Sequence, residues 1–190
     1  MSDAGRDSWA ERDGLTAVLI TVPDSADYTH RWRSVSRSTA RPQVPLTELI
    51  PPHVTVLVPW VVEPAESDVR RLAKAVASFE PFELRFPTVG QFPNGTVWLR
   101  PEPFATVVSL LYSVFQAFPE CPPYGGEFPD PHPHLTISSA TQGGPTVVAE
   151  AREALAAAPA PSVQLTELGL WREDEHGVWR QFEAVQLGAR

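Results

Sequence analysis

Two histidines stand in matching surroundings in this chain. The stretches HVTV at 53–56 and HLTI at 134–137 each place a threonine two residues after a histidine, with an apolar residue between them and another after. Alternate residues of a β-strand point to the same face of a sheet. We therefore expect His53 to project with Thr55, and His134 with Thr136, while the apolar residues face a core.

Two imidazoles and two hydroxyls are suited to phosphoryl transfer without a metal. Histidine titrates near pH 6.5, so one ring can accept a proton from the attacking oxygen while the other donates a proton to the leaving oxygen. Threonine hydroxyls can donate to the non-bridging phosphate oxygens. We expect His53 and His134 to be the catalytic acid and base, in an order that the sequence does not assign, and Thr55 and Thr136 to bind phosphate.

A single histidine in an apolar strand is usually a hydrogen-bonded core residue, and threonine is common in strands for packing alone. The repetition of the pair favours a functional site. A zinc site built from His53, His132 and His134 is a weaker alternative, because no carboxylate or cysteine has the spacing to complete it. We expect no metal and no cofactor.

The elements that must position these residues follow from the apolar periodicity and from Gly and Pro signals. Strands are predicted at 15–22, 53–62, 82–86, 96–99, 134–139, 162–171 and 178–187, and helices at about 25–37, from 63, at 103–118 and from 145.

The two halves of the chain correspond at an offset of 81 residues. At this offset His53 and Thr55 fall on His134 and Thr136, and three further pairs match: Leu84 with Leu165, Val97 with Val178, and Trp98 with Trp179. This predicts an α+β, bilobal duplicated fold, with two mainly antiparallel sheets each backed by helices around a central cleft. We expect a polar tail over 1–14 and a single bilobal domain over 15–190.

Composition limits the functional classes. The chain has 190 residues, 43% of them hydrophobic, enough for a core. No apolar run approaches the roughly 20 residues of a membrane helix, and the polar start has no signal-peptide centre. With Cys121 as the one cysteine, an internal disulfide is excluded. We expect a cytoplasmic monomer with no membrane partner. The net charge of −8 argues against binding long duplex nucleic acid, but not against a small phosphate ligand.

Three further groups are candidates for substrate binding. The segment 30–41 concentrates basic side chains without an acidic one, and these are Arg31, Arg33, Arg37 and Arg41. A solvated helix face explains them equally well. Tyr124 and Phe128, in a Pro/Gly-rich loop, could stack on a nucleobase. His132, between two prolines, is expected in a loop at the cleft rim. Trp60, Trp98 and Trp179 are expected in the core.

With both motifs in place, the chain resembles the two-histidine (2H) phosphoesterases, and within them the bacterial RNA 2′,3′-cyclic phosphodiesterases, also called 2′-5′ RNA ligases. The resemblance rests on His53-Val54-Thr55-Val56, on His134-Leu135-Thr136-Ile137 and on their contexts PPHVTVLVPW and PHPHLTIS. It spans about 15 to 187, including motif separation and element order.

The resemblance implies hydrolysis of 2′,3′-cyclic phosphates or 2′-5′ phosphodiester bonds of small nucleotide or RNA-end substrates. A basic or aromatic substrate loop of the family's kind is not evident, which leaves the substrate open. Two alternatives therefore remain at this point. One is a binding module that holds a nucleotide or RNA end without turnover. The other is the same chemistry on a non-RNA cyclic phosphate, such as an ADP-ribose derivative.

Overall fold

The computed structural model of the protein describes residues 14–33, 50–128, 130, 132–139 and 143–189. These residues form eight β-strands in chain order: β1 Thr16–Thr21, β2 His53–Leu57, β3 Phe82–Gln91, β4 Val97–Glu102, β5 Leu135–Ser138, β6 Ser162–Leu165, β7 Glu167–Glu173 and β8 Trp179–Gln186.

Four α-helices connect the strands: α1 Ala26–Arg33, α2 Glu66–Val76, α3 Phe104–Ala117 and α4 Pro145–Ala157. Sequence signals mark the starts of α2 and α4. An acidic first turn begins α2, with the Asp68 carboxylate accepting a hydrogen bond from the Ala65 N–H at 2.9 Å. Proline occupies the first turn of α4, where its missing N–H costs nothing. None of the helices within the described ranges is long and apolar enough to cross a bilayer.

All eight strands belong to one antiparallel sheet in the order β6-β3-β4-β5-β2-β1-β7-β8. The α+β class is confirmed, but the expected division into two sheets is wrong. The strand pair that was expected to line a cleft between lobes is hydrogen-bonded directly, β2 to β5, and it joins both halves into a continuous sheet. The reason is that each half would otherwise expose an edge strand with unpaired N–H and C=O groups, and pairing with the other half provides partners for those groups.

One hydrophobic core extends beneath the sheet. It contains buried residues from all four helices, among them Trp32 on α1 and Ala151 on α4, and the inward side chains Val54 of β2 and Leu135 of β5. Strand alternation sends the neighbouring residues to the opposite face. The histidine strands therefore present one apolar face to the core and one polar face away from it.

The strand order reads similarly in both directions from the central β5-β2 pair. At the 81-residue offset β1 falls on β4 and β2 on β5, and in the sheet β1 flanks β2 as β4 flanks β5. This arrangement agrees with a duplicated chain, although the duplication itself stays a prediction.

Several element bounds differ from the predicted ones. β3 continues to Gln91, past Pro87, because this proline falls at an irregularity in the pairing with β4, where no ladder hydrogen bond is needed. The predicted strand 162–171 is two strands, with a break at Thr166 between β6 and β7. The pairing also changes at that break, from β3 to β1.

Candidate active site

The two histidine motifs meet at the centre of the sheet. Val54 of β2 lies opposite Leu135 of β5, and both side chains are completely buried in the core. In an antiparallel pair, directly opposite residues share a face, and their neighbours along the strands share the other face. The motif residues on either side of Val54 and Leu135 therefore project together, away from the core.

This register fixes the relative positions of the four predicted residues. Thr55 lies opposite His134, and His53 lies opposite Thr136, so the four side chains occupy the corners of a rectangle. The histidines take one diagonal and the threonines take the other. Diagonal neighbours in a sheet are about 7–8 Å apart. That separation leaves room for a phosphate between the two imidazoles.

Each imidazole is held by a main-chain carbonyl two residues before it. Nδ1 of His53 is 2.7 Å from the Pro51 oxygen, and Nδ1 of His134 is 2.6 Å from the His132 oxygen. A carbonyl oxygen can only accept, so Nδ1 must carry the hydrogen in both rings. In a neutral ring the other nitrogen, Nε2, then carries no hydrogen, so it is an acceptor and can take a proton.

A proline separates each histidine from its carbonyl partner, Pro52 in the first motif and Pro133 in the second. A residue that precedes proline is driven to extended backbone. Pro51 and His132 occupy those positions, so the orientation of their carbonyl groups is restricted by the following ring. The proline before the histidine in each motif thus helps to position the imidazole.

Burial lowers the pKa of His134, and the nearby His132 lowers it further, while the hydrogen bond to the His132 carbonyl acts in the opposite direction. Burial has the largest effect of the three. The ring of His134 is therefore neutral at neutral pH and available as a proton acceptor.

An aromatic cluster surrounds the second motif. The ring of His132 lies 4.9 Å from those of Trp98 and Phe104, and the ring of His134 lies 4.9 Å from that of Phe92. The Phe92 and Trp98 rings are 5.1 Å apart and tie the cluster together. His132 is thus a half-buried loop residue that precedes β5, rather than a rim residue open to solvent.

The Arg100 side chain lies beside this cluster. The Arg100 guanidinium sits 4.4 Å from the centre of the Phe104 ring, a cation–π distance. Burial lowers the pKa of His132, and the charge of Arg100 lowers it further. Nε2 of His132 is buried and has no hydrogen-bond partner among the residues that the structure describes.

On each side of the central strand pair, a tryptophan lies opposite a small residue of the neighbouring strand. Trp98 is the cross-strand partner of Gly90, and Trp171 is that of Ala17. At the 81-residue offset the partners are exchanged, because Ala17 corresponds to Trp98 and Gly90 to Trp171. The tryptophan is therefore on the strand next to the central pair on one side (β4) and one strand further out on the other side (β7).

The first motif is bordered by the loop that follows α3. The Tyr124 side chain hydrogen-bonds Thr55, and its ring packs with Trp171 and Trp179 against the outer face of β1. Tyr124 therefore lies at the site, but as a packed residue rather than an open stacking platform. Phe128 is 48% exposed, and its ring lies 5.5 Å from that of Tyr124, so it is accessible to a ligand.

The predicted basic cluster lies largely outside the described residues. Arg31 and Arg33 belong to the backbone of α1, but their side chains are outside the description, as are Arg37 and Arg41 altogether. Their proposed contact with a ligand stays a prediction. Three grouped His, Cys, Asp or Glu side chains of the kind that hold a metal do not occur within the described ranges.

Sequence reasoning missed the aromatic residues on the outer face. Trp60 lies in the core as expected, but Trp98 and Trp179 are half-buried on the site face. Strand parity would have identified Trp98 and Arg100, because both alternate on β4 with the buried Val97 and Leu99. Phe92 and Phe104 carry no such signal, since a turn and a helix start bring them to the site only in three dimensions.

Comparisons with known proteins indicate the family and the fold of the chain. A family model described as the 2′-5′ RNA ligase superfamily matches residues 22–177. No curated protein sequence matches the chain.

Solved structures show the same fold at low identity. E. coli LigT complexed with NADP+ has 17% identity and a TM-score of 0.56, with 94% of this chain and 100% of that chain covered. The complex of E. coli LigT with 3′-AMP has 18% identity and a TM-score of 0.57 at the same coverage. A structure described as a phosphoesterase has 16% identity and a TM-score of 0.56, again with 94% and 100% covered.

Proposed function

Because the chain belongs to the 2′-5′ RNA ligase superfamily, we propose that it is a metal-independent phosphodiesterase that opens 2′,3′-cyclic phosphates of small nucleotide or RNA-end substrates. The observation that supports this most is the diagonal placement of His53 and His134 across the β2-β5 pair. In-line displacement at phosphorus brings the attacking oxygen and the leaving oxygen to opposite sides. Groups on opposite corners of the rectangle suit those two positions.

We assign His134 as the general base and His53 as the general acid. Burial keeps His134 neutral, and its Nδ1–H is held by a carbonyl, so Nε2 accepts the proton of a water. The water oxygen forms a bond to phosphorus as the bond from phosphorus to O3′ breaks. His53 gives its Nε2 proton to O3′, which leaves a free 3′-hydroxyl and a 2′-phosphomonoester.

The threonines take the remaining corners and donate to the non-bridging oxygens. Thr136 is exposed and Thr55 is half-buried, so both hydroxyls can reach a phosphate between the imidazoles. Charge on those oxygens persists through the reaction, and donors that are already in place stabilise it without reorganisation. Cleavage or ligation of 2′-5′ phosphodiester bonds uses the same groups with a nucleoside hydroxyl in place of water or as leaving group.

The test is turnover of 2′,3′-cyclic nucleotides in EDTA, with the position of the product phosphate identified. We expect wild-type activity in EDTA, a 2′-phosphate product, and a loss of about 10²–10⁴-fold in kcat for His53→Ala and for His134→Ala. The matched control is His176→Ala, because the His176 side chain is 78% exposed in the turn between β7 and β8.

Three results would contradict the proposal. They are full activity in either catalytic variant, activity that EDTA abolishes, and ligand binding by the folded wild type with no turnover. The last result would favour a binding module. Turnover restricted to a cyclic phosphate derived from ADP-ribose would keep the mechanism and replace the substrate.

A further inference from the structure

Tyr124 links the loop after α3 to the first motif strand. Its backbone N–H donates to the carbonyl of Val58, the residue that follows β2, at 2.6 Å. Its ring packs in a small apolar cluster on the site face that includes Ala17, Leu19 and Val58. The loop therefore reaches from the second half of the chain onto the first motif, and Tyr124 is the residue that makes the contact.

The backbone of Tyr124 is held in an unfavourable conformation. It has φ 51° and ψ 37°, and among the described residues it is the only non-glycine residue with positive φ. Left-handed backbone is disfavoured for a residue with a Cβ, and such residues persist where the surroundings over-determine them, often at functional sites. A glycine at position 124 would adopt this backbone conformation without strain. The presence of tyrosine there therefore indicates that its side chain has a role.

The Tyr124 side chain hydrogen-bonds Thr55. Burial raises the pKa of the Tyr124 phenol, and the hydrogen bond with Thr55 lowers it by less. At neutral pH the phenol therefore carries its proton and can donate it. A hydroxyl that accepts from Tyr124 has its own hydrogen free for another acceptor, and hydrogen bonds in such a chain strengthen one another. Thr136 differs from Thr55 in its surroundings, because it is exposed on β5.

We propose that Tyr124 is a positioning residue that aims the Thr55 hydroxyl at the phosphate, so that the two motif threonines are not equivalent. The inference rests on the proposed function. Tyr124 acts only through Thr55: the phenol donates to the Thr55 oxygen, and Thr55 donates to a non-bridging phosphate oxygen.

The experiment is a double-mutant cycle of Tyr124→Phe and Thr55→Val. Tyr124→Phe removes the phenolic hydroxyl, and Thr55→Val replaces the hydroxyl with a methyl group of similar size. We expect Tyr124→Phe to lower kcat/KM for a 2′,3′-cyclic nucleotide about 3- to 10-fold, the effect of one neutral hydrogen bond. In the Thr55→Val background the same change should have no further effect. Tyr112→Phe is the control, because Tyr112 is exposed on α3.

A purely structural role would give different results. If Tyr124 only stabilises the loop, Tyr124→Phe lowers Tm and its effect on kcat/KM is the same in both Thr55 backgrounds. Equal losses in the two backgrounds, or no loss in either, would overturn the inference.

A second readout separates this inference from the proposed function. The affinity for inorganic phosphate, titrated by calorimetry, does not depend on turnover. We expect Tyr124→Phe to weaken phosphate binding in the wild type but not in Thr55→Val. A wild type that binds phosphate with this coupling, yet opens no cyclic phosphate, refutes the proposed function alone. Phosphate binding without coupling, or its absence, refutes the role of Tyr124.

Discussion

Gly90 provides a direct test of the aromatic cluster. It lies on β3 opposite Trp98, and a Cβ added there would come within 2.3 Å of Cη2 and Cζ2 of the indole. Ordinary contacts begin at 3.4 Å, so in Gly90→Ala the indole must move by about 1.1 Å. The φ of Gly90 is outside the left-handed region, and the added strain is therefore steric alone.

The direction of this movement determines the expected effect. Trp98 lies on β4, between β3 and β5, so any part of the movement that is directed away from β3 carries the indole towards β5. There it meets His132 and His134, whose rings are now 4.9 and 6.4 Å from the indole. A shift of about 1 Å at a reacting group can cost about 10²-fold in rate. We expect Gly90→Ala to lower kcat/KM about 10- to 100-fold.

The assay is kcat/KM for a 2′,3′-cyclic nucleotide together with Tm. Overpacking costs about 1–3 kcal/mol, so Tm should fall by several degrees while the protein stays folded at 25 °C. Trp98→Phe in the Gly90→Ala background removes the far end of the indole and should restore part of the activity. Trp98→Phe alone is the control. Unchanged kcat/KM in Gly90→Ala would refute the link between Trp98 and the histidines.

Two further predictions concern the histidines themselves. Burial lowers the pKa of His134 and His132 in the folded chain. Below about pH 6.5 the unfolded chain therefore binds protons that the folded chain does not. The free energy of unfolding should accordingly fall as the pH drops from about 7 to 5. Urea midpoints should show this fall, with a shallower slope in His132→Phe but not in His176→Ala; a flat profile in the wild type would contradict it. Pro133→Ala removes the restriction on the backbone of His132. The hydrogen bond from Nδ1 of His134 to the His132 carbonyl should then weaken, and kcat/KM should fall about 2- to 10-fold. The exposed Pro81→Ala should leave kcat/KM unchanged, and equal values for the two variants would show that the proline has no positioning role.

Residues that combine a reactive side chain with alternate positions on a strand were predictable from the sequence. His53 and Thr55 share a face because they are two apart on a strand, and that strand was evident from its β-branched composition. The helices were predicted for the same reason, since Leu72 and Val76 of α2 fall at helical spacing and are both buried. Local patterns of this kind do not depend on the rest of the chain.

Pairing between strands was not predictable in the same way. Nothing in the sequence of β2 or β5 specifies that the two strands are direct neighbours, because a strand buried on one face is compatible with several partners. The expectation of two sheets failed on this point alone. The burial of Tyr124 was not predictable for a related reason. An aromatic loop residue is exposed or packed according to where the loop returns, and here it returns to Val58.

The direct pairing of β2 with β5 has a consequence for motion. If the two motifs belonged to separate lobes, each catalytic cycle would require a closure to bring the imidazoles together, and the closure rate could limit turnover. Here the imidazoles are carried by adjacent inner strands over a shared core, so separating them requires breaking the β2-β5 pairing. We therefore expect the amide hydrogens of Val54 and Leu135 to exchange slowly, as those of core strands do, and no hinge closure to limit turnover.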